Sequence, residues 1–451
     1  MNIKYVYRLL FHITLGVVFF LFVNLIPRLF FFFMIFYFIL TIIMASKKQR
    51  KIEVLKACAY VVGIEVLLRM TNGALFYEAS KYLVILFMLI GMFYDGISNK
   101  GSAYFIYLIL LVPSIIVASS TIGFDANFRT NVAFVLTGPV SLGVSALYCL
   151  DRKITRNQLL DVLQYLSLPI VSLTTYLFLY APSIKDTLRG TQSNFEASGG
   201  FGPNQVSTVL GIGMFTFCVF IFLKSKNIII TIINIMLFSA VAFRAIVTFS
   251  RGGVITSILM IMAFLFFLYL KSKSNERFRI VASLIAIVMV LGFTWVVSSS
   301  LTGGLIEKRY NNQDKKGLEK EDVSAGRVNL FLGELEGFIE NPFLGVGANG
   351  MKELRIERMG KAIASHNEVS RILSEHGLIG IIILLILIIR PLAYRTENLS
   401  NIFFFAFFCF WFATINHSAM RIAAPGFVYG LALLNVTHEK KRPLHRKCLS
   451  E

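Results

Sequence analysis

Long apolar runs separated by short polar connections dominate this chain. An apolar run of about 17–25 residues is long enough to cross the hydrocarbon core of a bilayer as an α-helix. Fourteen runs meet this expectation, at approximately residues 9–26, 29–45, 54–70, 81–97, 103–122, 131–150, 162–181, 204–223, 228–248, 253–270, 279–297, 369–389, 401–416 and 425–436. The last run is short and could be re-entrant. The pattern predicts an all-α polytopic membrane protein with about 12–14 transmembrane helices.

Clusters of basic residues test this count, because loops on the cytoplasmic side carry an excess of Lys and Arg. With fourteen spans every cluster falls on one side; the clusters are Lys4 with Arg8 and residues 47–51, 152–156, 224–226, 271–279, 390–395 and 440–447. We therefore predict a multi-pass protein of the bacterial inner (cytoplasmic) membrane with both termini cytoplasmic. The first span is expected to be a retained anchor, since no small-residue cleavage site follows it.

Composition narrows the function classes. The chain is 56% hydrophobic with a formal net charge of +19, but its basic residues form no continuous face, so nucleic acid is not an expected partner. Four of the five cysteines lie within predicted spans and Cys448 lies in the tail. The outer loops therefore offer no disulfide or thiolate metal site.

Two outer connections are long, residues 182–203 and 298–367. The second has about seventy residues and is too long for a simple connector, so we expect it to be a partly helical periplasmic or extracellular loop that carries function. The expected organisation is an N-terminal bundle of about eleven spans (1–297), this outer loop (298–367), C-terminal spans (368–437) and a basic cytoplasmic tail (438–451).

The second half of the outer loop predicts three helices. One begins after Ser324-Ala-Gly-Arg327, carries an apolar stripe at helical spacing, is expected to lie along the membrane surface, and stops at Asn341-Pro342. A second short helix covers 351–359. A third is expected to start at Ser365, with Ser365 and Glu368 as a capping box and His366 in its first turn.

Arginines are the clearest polar feature of the outer side. Arg251 lies in Phe249-Ser250-Arg251-Gly252-Gly253, at the predicted outer start of a span. Backbone N–H groups and the helix dipole favour an anion there, and guanidinium is suited to phosphate oxygens. The site could bind a diphosphate; alternatively, Arg251 could only anchor a helix end. Arg244, two turns deeper, could bind ligand or form an ion pair, for example with Glu65.

His366 is a candidate base, because the positive end of a helix keeps an imidazole neutral and able to accept a proton. It could equally be an ordinary surface residue. His366 and His376 lack further ligands at metal-site spacing, so we expect no metal and no other cofactor.

Three motif blocks together resemble the O-antigen ligase and polymerase superfamily of membrane glycosyltransferases. The first is Gly202-Pro203-Asn204 and the second is the Phe249–Gly253 block. The third runs from Ser324-Ala-Gly-Arg327 through Asn341-Pro342-Phe343-Leu344-Gly345-Val346-Gly347 to Ser365-His366-Asn367-Glu368 and Glu375-His376-Gly377-Leu378-Ile379-Gly380. The resemblance covers roughly residues 200–380.

The resemblance implies a donor glycan on undecaprenyl diphosphate, an acceptor sugar, and an inverting, metal-independent transfer at the outer face of the membrane. It implies that Arg251 binds the carrier diphosphate and that His366 lies beside the reacting sugar as general base or acceptor orienter. Further residues expected to bind the lipid diphosphate or glycan are Arg244, Arg327, Asn367 and Asn204. A polysaccharide chain-length regulator is a possible partner.

The sequence leaves the reaction open. Polymerisation of carrier-linked repeat units in O-antigen, capsule or exopolysaccharide synthesis is the expected function, because the chain lacks the large appended outer domain of protein O-oligosaccharyltransferases. The alternatives are an O-antigen ligase that transfers glycan to lipid A core or another acceptor, and a lipid-oligosaccharide flippase or secondary transporter. The transporter interpretation is disfavoured by the long structured outer loop.

Overall fold

The protein folds into one helical bundle. The computed structural model describes residues 3–122, 128–187, 190–225, 227–320, 322, 324 and 326–437. The helices of the first half are α1 (Ile3–Leu21), α2 (Leu25–Met44), α3 (Lys47–Met70), α4 (Ala79–Asp95), α5 (Ser102–Leu110), α6 (Pro113–Thr121), α7 (Phe128–Cys149), α8 (Arg156–Tyr180) and α9 (Ile184–Thr187). Those of the second half are α10 (Pro203–Leu223), α11 (Ile228–Val247), α12 (Arg251–Lys271), α13 (Ser274–Leu301), α14 (Leu305–Tyr310), α15 (Arg327–Glu340), α16 (Gly350–Met359), α17 (Glu368–His376), α18 (Leu378–Glu397), α19 (Phe404–His417) and α20 (Ala424–Ala432).

Every apolar run predicted from the sequence is helical, although 103–122 divides into α5 and α6 and 369–389 into α17 and α18. Among the described residues, ten helices are long and apolar enough to cross a membrane, with α5 and α6 counted as one. The predicted spans that fall short are α3, which is more polar, and α4, α19 and α20, which have 17, 14 and 9 residues. The all-α polytopic membrane fold is confirmed; ten of the fourteen predicted spans are both long and apolar enough to cross a membrane.

Burial separates an inner group of helices from a lipid-facing group. Most residues of α7, α8 and α10 are buried, whereas α1, α2 and α13 expose large apolar side chains such as Phe33 (63% exposed) and Phe278 (78%). Such exposure suits hydrocarbon as the solvent, since a helix satisfies its own backbone hydrogen bonds there. The hydrophobic core of the bundle lies among the inner helices, which include α7, α8 and α10.

The functional loops gather at one end of the bundle, which we call the outer end. There α8 and α11 end and α10 and α12 begin. The opposite, inner end carries a two-stranded parallel sheet in which β1 (Lys153–Thr155) pairs with β2 (Asn435–Thr437), Lys153 opposite Asn435. That the outer end faces away from the cytoplasm remains the prediction from charge, and the predicted tail 438–451 lies outside the described residues.

The outer loop contains the predicted helices α15 and α16, but the third helix differs from its prediction. It begins at Glu368, and its N-cap is Asn367, whose side-chain oxygen accepts from the amides of Val369 (2.8 Å) and Ser370 (3.2 Å). The Ser365–Glu368 capping box is therefore wrong, and His366 precedes the helix. The span predicted at 369–389 is also interrupted, because Gly377 separates α17 from α18.

Candidate active site

A cavity of about 1350 Å³ opens at the outer end of the bundle. Its walls come from the loop before α10, the corner between α11 and α12, the segment after α14, the helices α15 and α16, and the loops before α17 and α20. The cavity thus lies between the outer ends of the membrane-spanning helices and the outer loop. Of the predicted site residues, Arg251, Arg327, His366 and Asn204 line it.

Arg251 is the first residue of α12. Its Nη1 donates to the side-chain oxygen of Asn312 at 2.5 Å and to the carbonyl of Arg309 at 3.5 Å. These acceptors are neutral, and Arg251 forms no ion pair with a described carboxylate. Its charge therefore remains available to an anion in the cavity.

The glycines after Arg251 allow close packing of α12. A Cβ on Gly252 would lie 2.3 Å from the ring of His417, and a Cβ on Gly253 would lie 2.4 Å from the backbone of Ser207 in α10. Such distances are well below van der Waals contact, so larger residues would push α12 outward. The S-R-G-G sequence thus fixes where the guanidinium of Arg251 emerges.

Asn204 joins the starts of two helices. Its side-chain oxygen accepts a hydrogen bond of 2.7 Å from Ser250, the N-cap of α12, and its backbone carbonyl accepts one from Thr208. Ser207 in turn donates to Ser250 at 2.9 Å. Asn204 lines the cavity, and its observed bonds position the Ser250–Arg251 corner.

Two further arginines converge on Arg251. Burial lowers the pKa of Arg309, and the charges of Arg251 and Arg327 lower it further; burial and the charge of Arg251 likewise lower the pKa of Arg327. Arg309 donates to the carbonyl of Phe249 at 3.2 Å, and the Arg327 guanidinium has no hydrogen bond to a described residue. The three like charges repel one another, and a bound anion would relieve that repulsion.

His366 lies on the same cavity. Burial, followed by the charges of Arg421, Arg327 and Arg355 and by His417, lowers the pKa of His366 to about 4. Its Nδ1 is buried without a hydrogen-bond partner among the described residues. The lowered pKa favours the neutral imidazole that the sequence predicts, but the cause differs: desolvation and nearby arginines act on His366, which is not in a helical turn.

The loop before His366 is held by a buried carboxylate. Glu334 of α15 accepts from Arg355 of α16, from Ser365 and from Ser370 of α17. Arg355 also donates to the carbonyl of Ile363 at 3.0 Å. One carboxylate therefore ties three helices to the residue that precedes His366.

Arg421 closes the same loop from the other side. It donates to the backbone carbonyls of Ser365 at 2.8 Å and Ala364 at 3.4 Å. It also lines the cavity, and burial lowers its pKa. Arg421 thus adds positive charge close to His366 while fixing the backbone there.

The N-P-x-x-G-x-G segment packs against the end of α17. The amide of Val346 donates to the Ser374 carbonyl at 2.9 Å, and that of Gly347 donates to the Glu375 carbonyl at 3.2 Å. These are carbonyls that a helix end leaves without internal partners. Gly345 has φ 72°, and a Cβ there would lie 2.4 Å from Glu375 backbone. The motif therefore supports the C-terminal end of α17.

Two predicted binding residues lie away from the cavity. Arg244 is buried and donates to the carbonyls of Leu177 (2.6 Å), Ala181 (3.3 Å) and Ala197 (3.3 Å). The suggested pairing with Glu65 is wrong, since Glu65 pairs with Arg69 at 2.5 Å. Backbone carbonyls, two of them at the end of α8, therefore accept hydrogen bonds from both terminal nitrogens of Arg244, while its Nε has no partner among the described residues.

Asn367 is the other such residue. Its oxygen caps α17, and its amide nitrogen donates to Asn416 at 3.2 Å. Neither Asn367 nor Arg244 lines the cavity, and their role in ligand binding stays a prediction.

Sequence reasoning missed Arg309, Arg421 and Glu334. Arg309 comes from the first half of the outer loop, which carries no recognisable motif. Arg421 is more than 50 residues from His366 in the sequence, in the loop after α19. Glu334 lies on the buried face of α15 with Gly337, away from the exposed apolar stripe, and no local pattern distinguished it from Glu336 and Glu340. No three His, Cys, Asp or Glu side chains of the described chain cluster as metal ligands would.

Part of this chain is similar to known proteins. Residues 235–385 match the family model described as O-Antigen ligase. A Haemophilus influenzae protein described as uncharacterized is 30% identical over a region covering 34% of this chain and 40% of that protein. The chain thus spans less than half of that relative. The matched family region includes Arg251, Arg309, Arg327, Glu334 and His366.

Proposed function

We propose that this chain belongs to the O-antigen ligase and polymerase family, whose model matches residues 235–385, and that it transfers glycan from an undecaprenyl diphosphate carrier to an acceptor sugar in surface polysaccharide synthesis. One observation carries the proposal. Arg251, Arg309 and Arg327 converge without carboxylate partners among the described residues, on a cavity at the end of a membrane bundle, beside a neutral His366.

The arginines suit the departing group. When the bond between the anomeric carbon and the phosphate oxygen breaks, negative charge accumulates on the lipid diphosphate. Guanidinium groups fixed beside it stabilise that charge more than they stabilise the ground state. They supply positive charge in the position where other glycosyltransferases use a divalent cation, so the proposed reaction is metal-independent.

His366 suits the acceptor. In the proposed step the acceptor hydroxyl oxygen attacks the anomeric carbon from the face opposite the phosphate. The bond between the anomeric carbon and the phosphate oxygen breaks, and the hydroxyl proton passes to His366. The configuration at the anomeric carbon inverts. A neutral imidazole can accept this proton, whereas an imidazolium cannot.

The proposed acceptor is a second carrier-linked glycan, which makes the reaction a polymerisation. Lipid A core or another acceptor would make it a ligation, and the donor side of the cavity serves both. We place the reaction at the outer face of the inner membrane, with the termini cytoplasmic and a chain-length regulator as a candidate partner.

The polysaccharide profile of a deletion strain tests this proposal. Single repeat units on lipid A core support a polymerase. Loss of all glycan from the core, with carrier-linked polymer retained, identifies a ligase. A profile unchanged in both the amount and the length of surface glycan contradicts either function.

A further inference from the structure

One face of α12 forms an apolar stripe directly below Arg251. Its members recur at helical spacing and are all exposed; we define this α12 stripe as Ile255, Ile258, Leu259, Met262 and Phe266. Met262 is 54% exposed and Phe266 57%. Arg251 lies at the outer end of the same face, four residues before Ile255. The opposite face of α12 is buried against α10 and α19.

The next helix leaves this stripe uncovered. α13 packs mainly against α11 and makes little contact with α12, although the two helices are consecutive. At the outer end, however, the chain returns: Asn312, which follows α14, accepts the hydrogen bond from Arg251. The stripe is thus open to the bilayer along its length. Arg251, Arg309 and Arg327, which we call the arginine cluster, lie at its outer end.

We propose that the α12 stripe binds the polyisoprenyl chain of the lipid diphosphate, an inference that rests on the proposed function. The stripe and the arginine cluster share Arg251, so one molecule with an anionic head and a long apolar chain can occupy both. From Arg251 to Phe266 the helix rises about 22 Å, which covers most of a hydrocarbon core. Ordinary lipid-facing helices lack this continuity with a site for several negative charges.

Photocrosslinking tests the stripe without requiring glycan transfer. Met262→p-benzoylphenylalanine and, as a matched control, Leu385→p-benzoylphenylalanine are placed in the full chain; Leu385 of α18 is 48% exposed. The probe is radiolabelled undecaprenyl diphosphate in phospholipid vesicles. We expect labelling at position 262 to exceed that at 385 by about tenfold. This is the gain in affinity expected from one charge-assisted hydrogen bond to the head group. Undecaprenol should compete poorly, since it lacks the diphosphate.

The outcomes separate this inference from the proposed function. The inference is overturned if positions 262 and 385 are labelled equally. It is also overturned if undecaprenol displaces the labelling at 262 as well as undecaprenyl diphosphate does, because the α12 stripe then contacts lipid without selectivity. Adding Arg251→Ala should reduce labelling at 262 alone, and no reduction also overturns it. Transfer is measured separately with wild-type protein: selective labelling without transfer contradicts the proposed function only.

Discussion

The guanidinium of Arg251 donates to the side-chain oxygen of Asn312 at 2.5 Å, so a neutral amide holds the first residue of α12 against the segment after α14. A carboxylate in place of the amide would neutralise the charge of Arg251. The amide instead orients the cation and leaves its charge unpaired. This arrangement suits a group that receives an anionic ligand.

Replacing Arg251 by Ala should lower transfer by about 10²–10³-fold, because the variant loses a donor aimed at charge that develops in the transition state. Arg251→Lys should recover part of the activity, since it keeps the charge but loses the planar pair of donors. Steady-state transfer from a carrier-linked glycan measures both. Arg28→Ala is the control, because Arg28 is exposed and lies outside the cavity. Equal losses in both alanine variants would argue against a diphosphate role.

His366 makes a prediction about pH. Since the pKa of His366 is lowered to about 4, the neutral base is present at neutral pH and is lost only as pH falls through about 4. kcat/KM, which reports the free enzyme, should have its acid limb there. An anionic donor raises the pKa of the imidazole, so the acid limb of kcat should lie at higher pH.

His366→Gln should lower kcat by about 10²–10⁴-fold and remove the acid limb. An acid limb that persists in this variant would assign the titration to another group.

Glu334 should act through the position of His366. Glu334→Gln leaves Arg355 buried and unpaired, so we expect a loss of about 3–5 kcal/mol in the free energy of unfolding. Ser365→Ala removes one hydrogen bond to Glu334 and should reduce kcat severalfold with donor KM unchanged, at a cost of about 1 kcal/mol. Kinetics and chemical denaturation measure these effects. Unchanged kcat in Ser365→Ala would show that this network only stabilises the fold.

The glycines of the S-R-G-G block should be intolerant of a methyl group. Gly253→Ala places Cβ against the Ser207 backbone, which cannot move aside as a side chain would; we expect a loss of about 1–3 kcal/mol together with reduced transfer. Gly292→Ala in α13 is the matched control, since nothing lies within 4 Å of its Cβ. Thermal unfolding of both variants tests this, and equal melting temperatures would refute the close approach of α10 and α12.

The sequence predicted the parts of the site that depend on local pattern. Apolar runs located the helices. Arg251, Arg327 and His366 followed from motifs. Their convergence on one cavity is a tertiary property, which no local pattern contains.

The failures have physical reasons. The start of α17 was placed at Ser365 because the capping-box pattern fits there, but Ser365 bonds to Glu334 and Asn367 supplies the cap. Arg244 was expected to bind ligand or to form an ion pair, yet it donates to backbone carbonyls, among them that of Leu177 near the end of α8. Arg309 and Arg421 depend on contacts between segments far apart in the sequence.

Reconstitution tests the central claim most directly. Purified wild-type protein and the Arg251→Ala variant are placed in vesicles with carrier-linked glycan as the sole donor and acceptor, without a membrane gradient. The account predicts longer carrier-linked glycans and released lipid diphosphate with wild-type protein, and neither product with Arg251→Ala. Movement of intact carrier-linked glycan across the bilayer without new glycosidic bonds would contradict the account and indicate transport.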